Sequence, residues 1–265
     1  MTHSTAALVG ATGGAGTTRL AVELGATLAR DGREVAILDA AFDTEGLARH
    51  VSGRIDPDLT KLLTGEESHP DDRPLSDGLR EHPATADLAG RLELCPARAP
   101  FERMARTKTA DAAQRFETLL AEADAEYDHV LVDTPPVAAN QAVAAVTTAE
   151  QVAVVAPASE RGVDAVQRTR GRVADVGASV DAVVANRAEP EHPLRSADAA
   201  VPESEVTSVE GVPASVGAND DPEAGFAPAV AHAAEAVFDA ELGLEFEDPG
   251  LLDFDPEELL PDALS

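Results

Sequence analysis

Residues 6–19 read AALVGATGGAGTTR, and the fold of the chain turns on them. A short apolar run, 6–10, is followed by Gly10, Gly13, Gly14 and Gly16. Leu20, Leu24 and Leu28 then recur at helical spacing, with Ala21 and Val22 between them, up to Gly32. The pattern is a buried strand, a glycine loop and a helix. Glycines let successive backbone N–H groups converge, and a helix N-terminus adds partial positive charge, so such a loop can cradle an anion. The same glycines would also suit a plain tight turn from strand to helix.

Working outward, strands are expected at 34–39 (EVAILD), 92–96, 129–133 (HVLVD), 152–156, 180–186 and 211–216. Helices are expected at 43–51, 58–64, 109–125, 138–148, 161–176 and 223–242, the last capped by Gly243. Alternation of the two implies an α/β fold, a mostly parallel sheet with helices on both faces. Residues 66–77, rich in Pro, Asp and Ser, read as an acidic surface insertion, and 187–205 as a loop.

The chain has 265 residues, enough for one large domain with a full core. Tryptophan is absent and there is one Tyr and seven Phe, so Ala, Val and Leu must build that core. The formal net charge is -29, and lysine occurs only at Lys61 and Lys108 among 20 basic residues. Such a surface repels nucleic acid and anionic lipid at low salt. It implies a salt-rich cytoplasm, as in halophilic archaea, where the Debye length falls to about 3 Å at molar salt. One cysteine, Cys95, excludes a disulfide framework and reads as a small core residue in LELCP. No signal segment or long apolar span is read, so a cytoplasmic location is expected.

The glycine stretch resembles the deviant P-loop of the ParA/MinD ATPases, Lys-Gly-Gly-x-Gly-Lys-Thr-Thr. Thr12-Gly13-Gly14-Ala15-Gly16-Thr17-Thr18 follows that pattern except at its two lysines, which fall on Thr12 and Thr17. Further stretches match in order over most of the chain. Asp39-Ala40-Ala41 stands where the family has Asp-x-Asp, so the water-positioning aspartate is replaced by Ala41. Asp43, two residues on, is a second candidate, although it also suits a helix N-cap. Asp133-Thr134-Pro135 matches the second switch, Asp-x-Pro. Asn186 falls where an Asn reads adenine, and it also suits a turn. Gly211-Val212-Pro213 is similar to the Gly-Ile-Pro that backs the base.

The resemblance implies a P-loop nucleotide-binding domain over residues 1–243 and an acidic tail over 244–265. It implies ATP held by Gly13, Gly14, Ala15, Gly16, Thr17, Thr18, Asn186 and Pro213, and Mg2+ held by Thr18 and, through water, Asp133. Catalytic candidates are confined to Asp39 and Asp43. A threonine donates a hydrogen bond but neutralises no charge, and charge-assisted bonds contribute about 1.5–3 kcal/mol against about 1 for neutral ones. Weak binding and slow or absent hydrolysis are therefore expected, in a regulatory or positioning protein. The implied assembly is a homodimer, or a heterodimer with an active homologue. The tail contains no Lys or Arg beyond residue 244, which disfavours a membrane anchor and leaves a protein partner open. Two other readings stand beside this one: a working ATPase whose cation is Arg19 or a partner's arginine, and a nucleotide-free interaction scaffold.

Overall fold

Residues 4–65, 73–217 and 225–246 are described by the computed structural model of the protein. The apolar runs become strands buried on both faces, as a parallel sheet covered by helices requires. They are β1 (Ser4–Gly10), β2 (Glu34–Asp39), β3 (Arg80–Glu81), β4 (Arg91–Cys95), β5 (His129–Thr134), β6 (Gln151–Pro157), β7 (Ala182–Asn186) and β8 (Ala199–Val201). Their order in the sheet is β3-β4-β2-β5-β1-β6-β7-β8, and every pairing is parallel except β3 with β4. The α/β expectation therefore holds.

Helices α1 (Thr17–Arg30) and α7 (Phe226–Phe238) pack on one face. On the other lie α2 (Leu59–Thr64), α4 (Ala110–Glu126), α5 (Asn140–Thr148) and α6 (Glu160–Asp175). A short α3 (Phe101–Arg106) buries none of its own side chains. Local chemistry sets the helix ends. Asp58, Thr109 and Ser159 cap α2, α4 and α6 by accepting backbone N–H bonds from Lys61, Ala112 and Gly162. Gly32 and Gly65, both at positive φ, follow the ends of α1 and α2. Ala, Val and Leu dominate the core, with Phe42, Phe116 and Tyr127 its largest fully buried members.

Four expectations are corrected. The segment 43–51 is not a helix capped by Asp43: a 3-10 turn at Leu47–His50 follows Gly46, and Asp43 pairs with Lys108 at 3.1 Å. Residues 211–216 are not a strand. A 3-10 turn at Val209–Gly211 runs into buried irregular chain, and the last strand is β8, inside the stretch read as loop. The closing helix ends at Phe238, with Asp239 in the left-handed region, four residues before Gly243. The insertion is less superficial than expected at its end, since Leu75 is buried and its N–H bonds Glu122 at 2.8 Å. Residues 66–72, 223–224 and 247–265, on which the rest of the insertion, the helix start and most of the tail fall, lie outside the described residues.

Candidate functional site

Parallel strands deliver their last residues to one edge of the sheet, and a crevice forms there where the strand order changes direction. Strand β1 is central, with β5 on one side and β6 on the other, and it ends at Gly10. The loop from Ala11 to Gly16 turns into α1. Gly14 (φ 76°) and Gly16 (φ 85°) take left-handed conformations, and Gly16 is the N-cap of α1 with no side chain closing the helix end. The first N–H groups of α1 thus have no capping side chain, as an anion cradle requires. Space is also tight. A Cβ at Gly16 would stand 2.4 Å from Nδ2 of Asn186, and one at Gly10 would stand 2.8 Å from Oγ1 of Thr17.

A cavity of about 340 Å3 lies over this loop. Its floor is Gly10 and residues 12–18, and its walls come from the ends of β2 and β5, with Ala41, Gly46 and Asp133 among them. Asp133 is 1% exposed, and its Oδ2 is buried without a hydrogen-bond partner, with the Thr18 side chain close by. Burial pushes this carboxyl up to about 6, against the lowering effect of Thr18. A buried, unsatisfied carboxylate oxygen beside a hydroxyl is the hard oxygen chemistry that suits Mg2+. Thr18 and Asp133 therefore fit the group that the resemblance implies.

Asp39 pairs in register with Asp133 on the neighbouring strand, yet it does different work. Its two oxygens accept the N–H groups of Ala41 (2.9 Å) and Ala97 (3.2 Å). Burial and the Asp133 charge together hold its carboxyl well above the usual carboxylate range. It fixes the backbone beyond β2 and is absent from the cavity lining. Asp43 is exposed and engaged by Lys108. Neither catalytic candidate reaches the cavity, and Ala41 does.

A second cleft of about 230 Å3 adjoins the first, sharing Gly16 and Arg19 with it. Asn186 sits at the junction. Its Nδ2 donates to the Ala15 carbonyl at 2.8 Å and its Oδ1 accepts from the Arg187 N–H at 3.0 Å. The Asn186 amide thereby ties β7 to the glycine loop. Leu20, Glu23, Val201 and Phe226 line the cleft further out. Pro213 is buried but lines neither cavity. Arg19, considered as a replacement cation, turns along α1. Its guanidinium donates to the Val206 carbonyl at 2.6 Å, meets Glu23 at 3.4 Å and lies over the Phe226 ring.

Three residues that no sequence motif flagged shape the site. Arg49 and His50 line the loop cavity from the 3-10 turn after β2. Burial, together with the charges of His82, Arg19 and Arg49, pushes His50 down to about 4, so its imidazole is neutral at ordinary pH. Glu23, fully buried in α1, accepts the N–H groups of Ala214 (3.1 Å) and Ser215 (2.9 Å) and so holds the loop behind the second cleft. A charged residue in the middle of an apolar helix was the available signal for Glu23. Arg49 and His50, at the end of an expected polar helix, carried none.

A family model described as an AAA domain (AAA_31) matches residues 4–181. No curated protein matches the chain. Among solved structures, the septum site-determining protein MinD of Pyrococcus horikoshii OT3, complexed with Mg-ADP, superposes with a TM-score of 0.72 at 20% identity. That match covers 89% of this chain and 96% of the other. The cell division ATPase MinD of Pyrococcus furiosus gives 0.68 at 18% identity, over 89% and 98%. A ParA family ATPase from Chlorobium tepidum TLS gives 0.69 at 16% identity, over 88% and 98%. At these identities the likeness is one of fold.

Proposed function

The chain belongs to the AAA domain family matched over residues 4–181, and from that membership we propose that it is a MinD- and ParA-like ATP-binding protein with a degenerate phosphate loop. One observation carries the reading. The uncapped N-terminus of α1 and Asp133, whose Oδ2 has no partner, line a single cavity that adjoins a cleft at Gly16. The first offers N–H donors to phosphate oxygens, and the second offers an anionic oxygen to a divalent ion beside Thr18. The adjoining cavities, about 340 and 230 Å3, would take a nucleotide with its phosphates over the loop and its base near Asn186 and Phe226.

Hydrolysis is impaired in this reading. Transition-state charge on a transferred phosphoryl group needs cations and a positioned water. Thr12 and Thr17 supply no charge, Ala41 orients no water, and Asp39 and Asp43 are occupied elsewhere. The Mg2+ ion would neutralise phosphate charge when bound, and what remains is a binding site that turns over slowly. Such a protein suits a regulatory or positioning role in the cytoplasm, as a homodimer or paired with an active homologue.

Calorimetry in molar KCl with and without Mg2+, using ATP, ADP and GTP, tests the reading. ATP and ADP are expected to bind in the micromolar to submillimolar range, more tightly with Mg2+, with turnover at or below background. Absence of any binding heat at millimolar ATP would sink it and favour a nucleotide-free scaffold.

A further inference from the structure

A polyphosphate needs positive charge, and the loop has none of its own. Resting on the ATP-binding reading above, we propose that Arg49 supplies the cation that both loop lysines would have supplied, reaching the phosphates from the opposite wall of the cavity. Two arginines line this cavity, Arg19 and Arg49. Arg19 is engaged by Val206 and Glu23. Arg49 is exposed, and among the described residues its guanidinium has neither a hydrogen bond nor an ion pair. In a chain with 49 acidic residues, an arginine facing a cavity without a carboxylate partner is a notable placement.

The placement is built into the backbone. Gly46 lies so close to Thr18 that a Cβ there would stand 2.8 Å from Thr18 Oγ1. The Arg49 N–H bonds back to the Gly46 carbonyl at 3.2 Å, which closes the turn over that contact. The turn's other side packs on Val209–Gly211. The segment is thus seated between the magnesium-position threonine and the loop bordering the second cleft. His50, next in sequence, adds an unpartnered buried Nδ1 to the same wall. The arrangement recognises the polyphosphate, not the nucleoside, because Arg49 lines the loop cavity and is absent from the second cleft. The guanidinium's fork also matches paired phosphate oxygens better than the point charge of a lysine.

The test compares ATP and AMP binding by calorimetry in molar KCl with Mg2+ for wild type, Arg49→Ala, Arg49→Lys, and Arg49→Ala combined with Thr17→Lys. Arg49→Ala is expected to weaken ATP about ten- to hundredfold, the worth of a charge-assisted contact, and AMP by less than about threefold. Arg49→Lys is expected to keep most of the affinity, and Thr17→Lys to restore at least about fivefold of the loss. Circular dichroism checks each fold, and Arg49→Gln replaces Arg49→Ala should the latter unfold. Wild-type affinity for ATP in Arg49→Ala overturns the inference while leaving ATP binding intact. Equal losses for ATP and AMP with no rescue by Thr17→Lys also overturn it, because they mark a structural role. A wild type that binds no nucleotide overturns the ATP reading itself.

Discussion

At the scale of single residues, Asp133 shows how a proposed metal-binding carboxylate would be kept against the stability of the fold. It and Asp39 are adjacent across two central strands, and both are buried. A carboxyl whose folded pKa is raised contributes stability that is complete below its unfolded value and is lost as pH rises through the folded one. For Asp133 that window runs from near 3.8 up to about 6. Above it, the nucleotide-free protein holds a desolvated anion beside a second carboxyl, with one oxygen unsatisfied. Asp133→Asn is therefore expected to stabilise the nucleotide-free protein at about pH 7.5 by on the order of 2 kcal/mol, with the difference vanishing near pH 4. It is also expected to abolish the Mg2+ enhancement of ATP binding. Thermal unfolding of both proteins at the two pH values, in the same KCl, measures the first effect. A melting temperature below wild type at pH 7.5 would show that the carboxylate is structural.

At the scale of elements, α1 does two jobs. Its first turn presents N–H groups to the cavity, and its seventh residue, Glu23, anchors the chain at Ala214 and Ser215. Ser215 adds a bond from its hydroxyl to the Glu23 carbonyl at 3.3 Å. A carboxylate buried in this way is satisfied by the two N–H donors and by Arg19. Removing it leaves those donors buried without an acceptor, at about 1–3 kcal/mol each. Glu23→Ala is expected to cost about 2–4 kcal/mol overall and to speed amide exchange selectively at 206–216. Hydrogen exchange by mass spectrometry reads this directly, and uniform loss of protection across the sheet would refute the local anchoring. The elements differ in how plainly the sequence announces them. EVAILD and HVLVD are continuous apolar runs ending in acids, and they lie within a residue of β2 and β5. Strand β8 is three residues of Ala and Val in a polar stretch, and its pairing with β7 is a tertiary fact. Helix α3 buries no side chain, so it leaves no periodic signal. GVPASV reads as a strand because it is mostly apolar, but its backbone bonds go to Glu23, 191 residues away along the chain from Ala214, rather than to a neighbouring strand. In the candidate site, the glycine loop with Thr18, and Asp133 at the end of HVLVD, were legible because each lies in a short local run of its own. Arg49 was not, since its place in the cavity wall depends on how the chain after β2 folds back.

At the scale of the whole molecule, charge governs both stability and ligand approach. With a net charge of -29, the chain repels itself and also repels ATP, which carries the same sign. The two effects act over different lengths. Repulsion from the surface carboxylates reaches about 10 Å at 0.1 M salt and about 3 Å at 1 M, whereas a contact inside a cavity is screened far less. An ordinary phosphate site with lysines on a basic surface weakens as salt rises, because salt screens attraction. In the proposed site salt would first screen repulsion, and the attraction remaining would come from N–H groups, Mg2+ and the Arg49 guanidinium. ATP affinity is therefore expected to rise at least about fivefold between about 0.2 and 2 M KCl, at fixed free Mg2+. Calorimetry over that series measures it, with circular dichroism restricting the comparison to concentrations at which the fold is complete. Affinity that falls steadily across the series would mean that the acidic surface is not felt at the glycine loop, and that the site's own charges set the approach of the nucleotide.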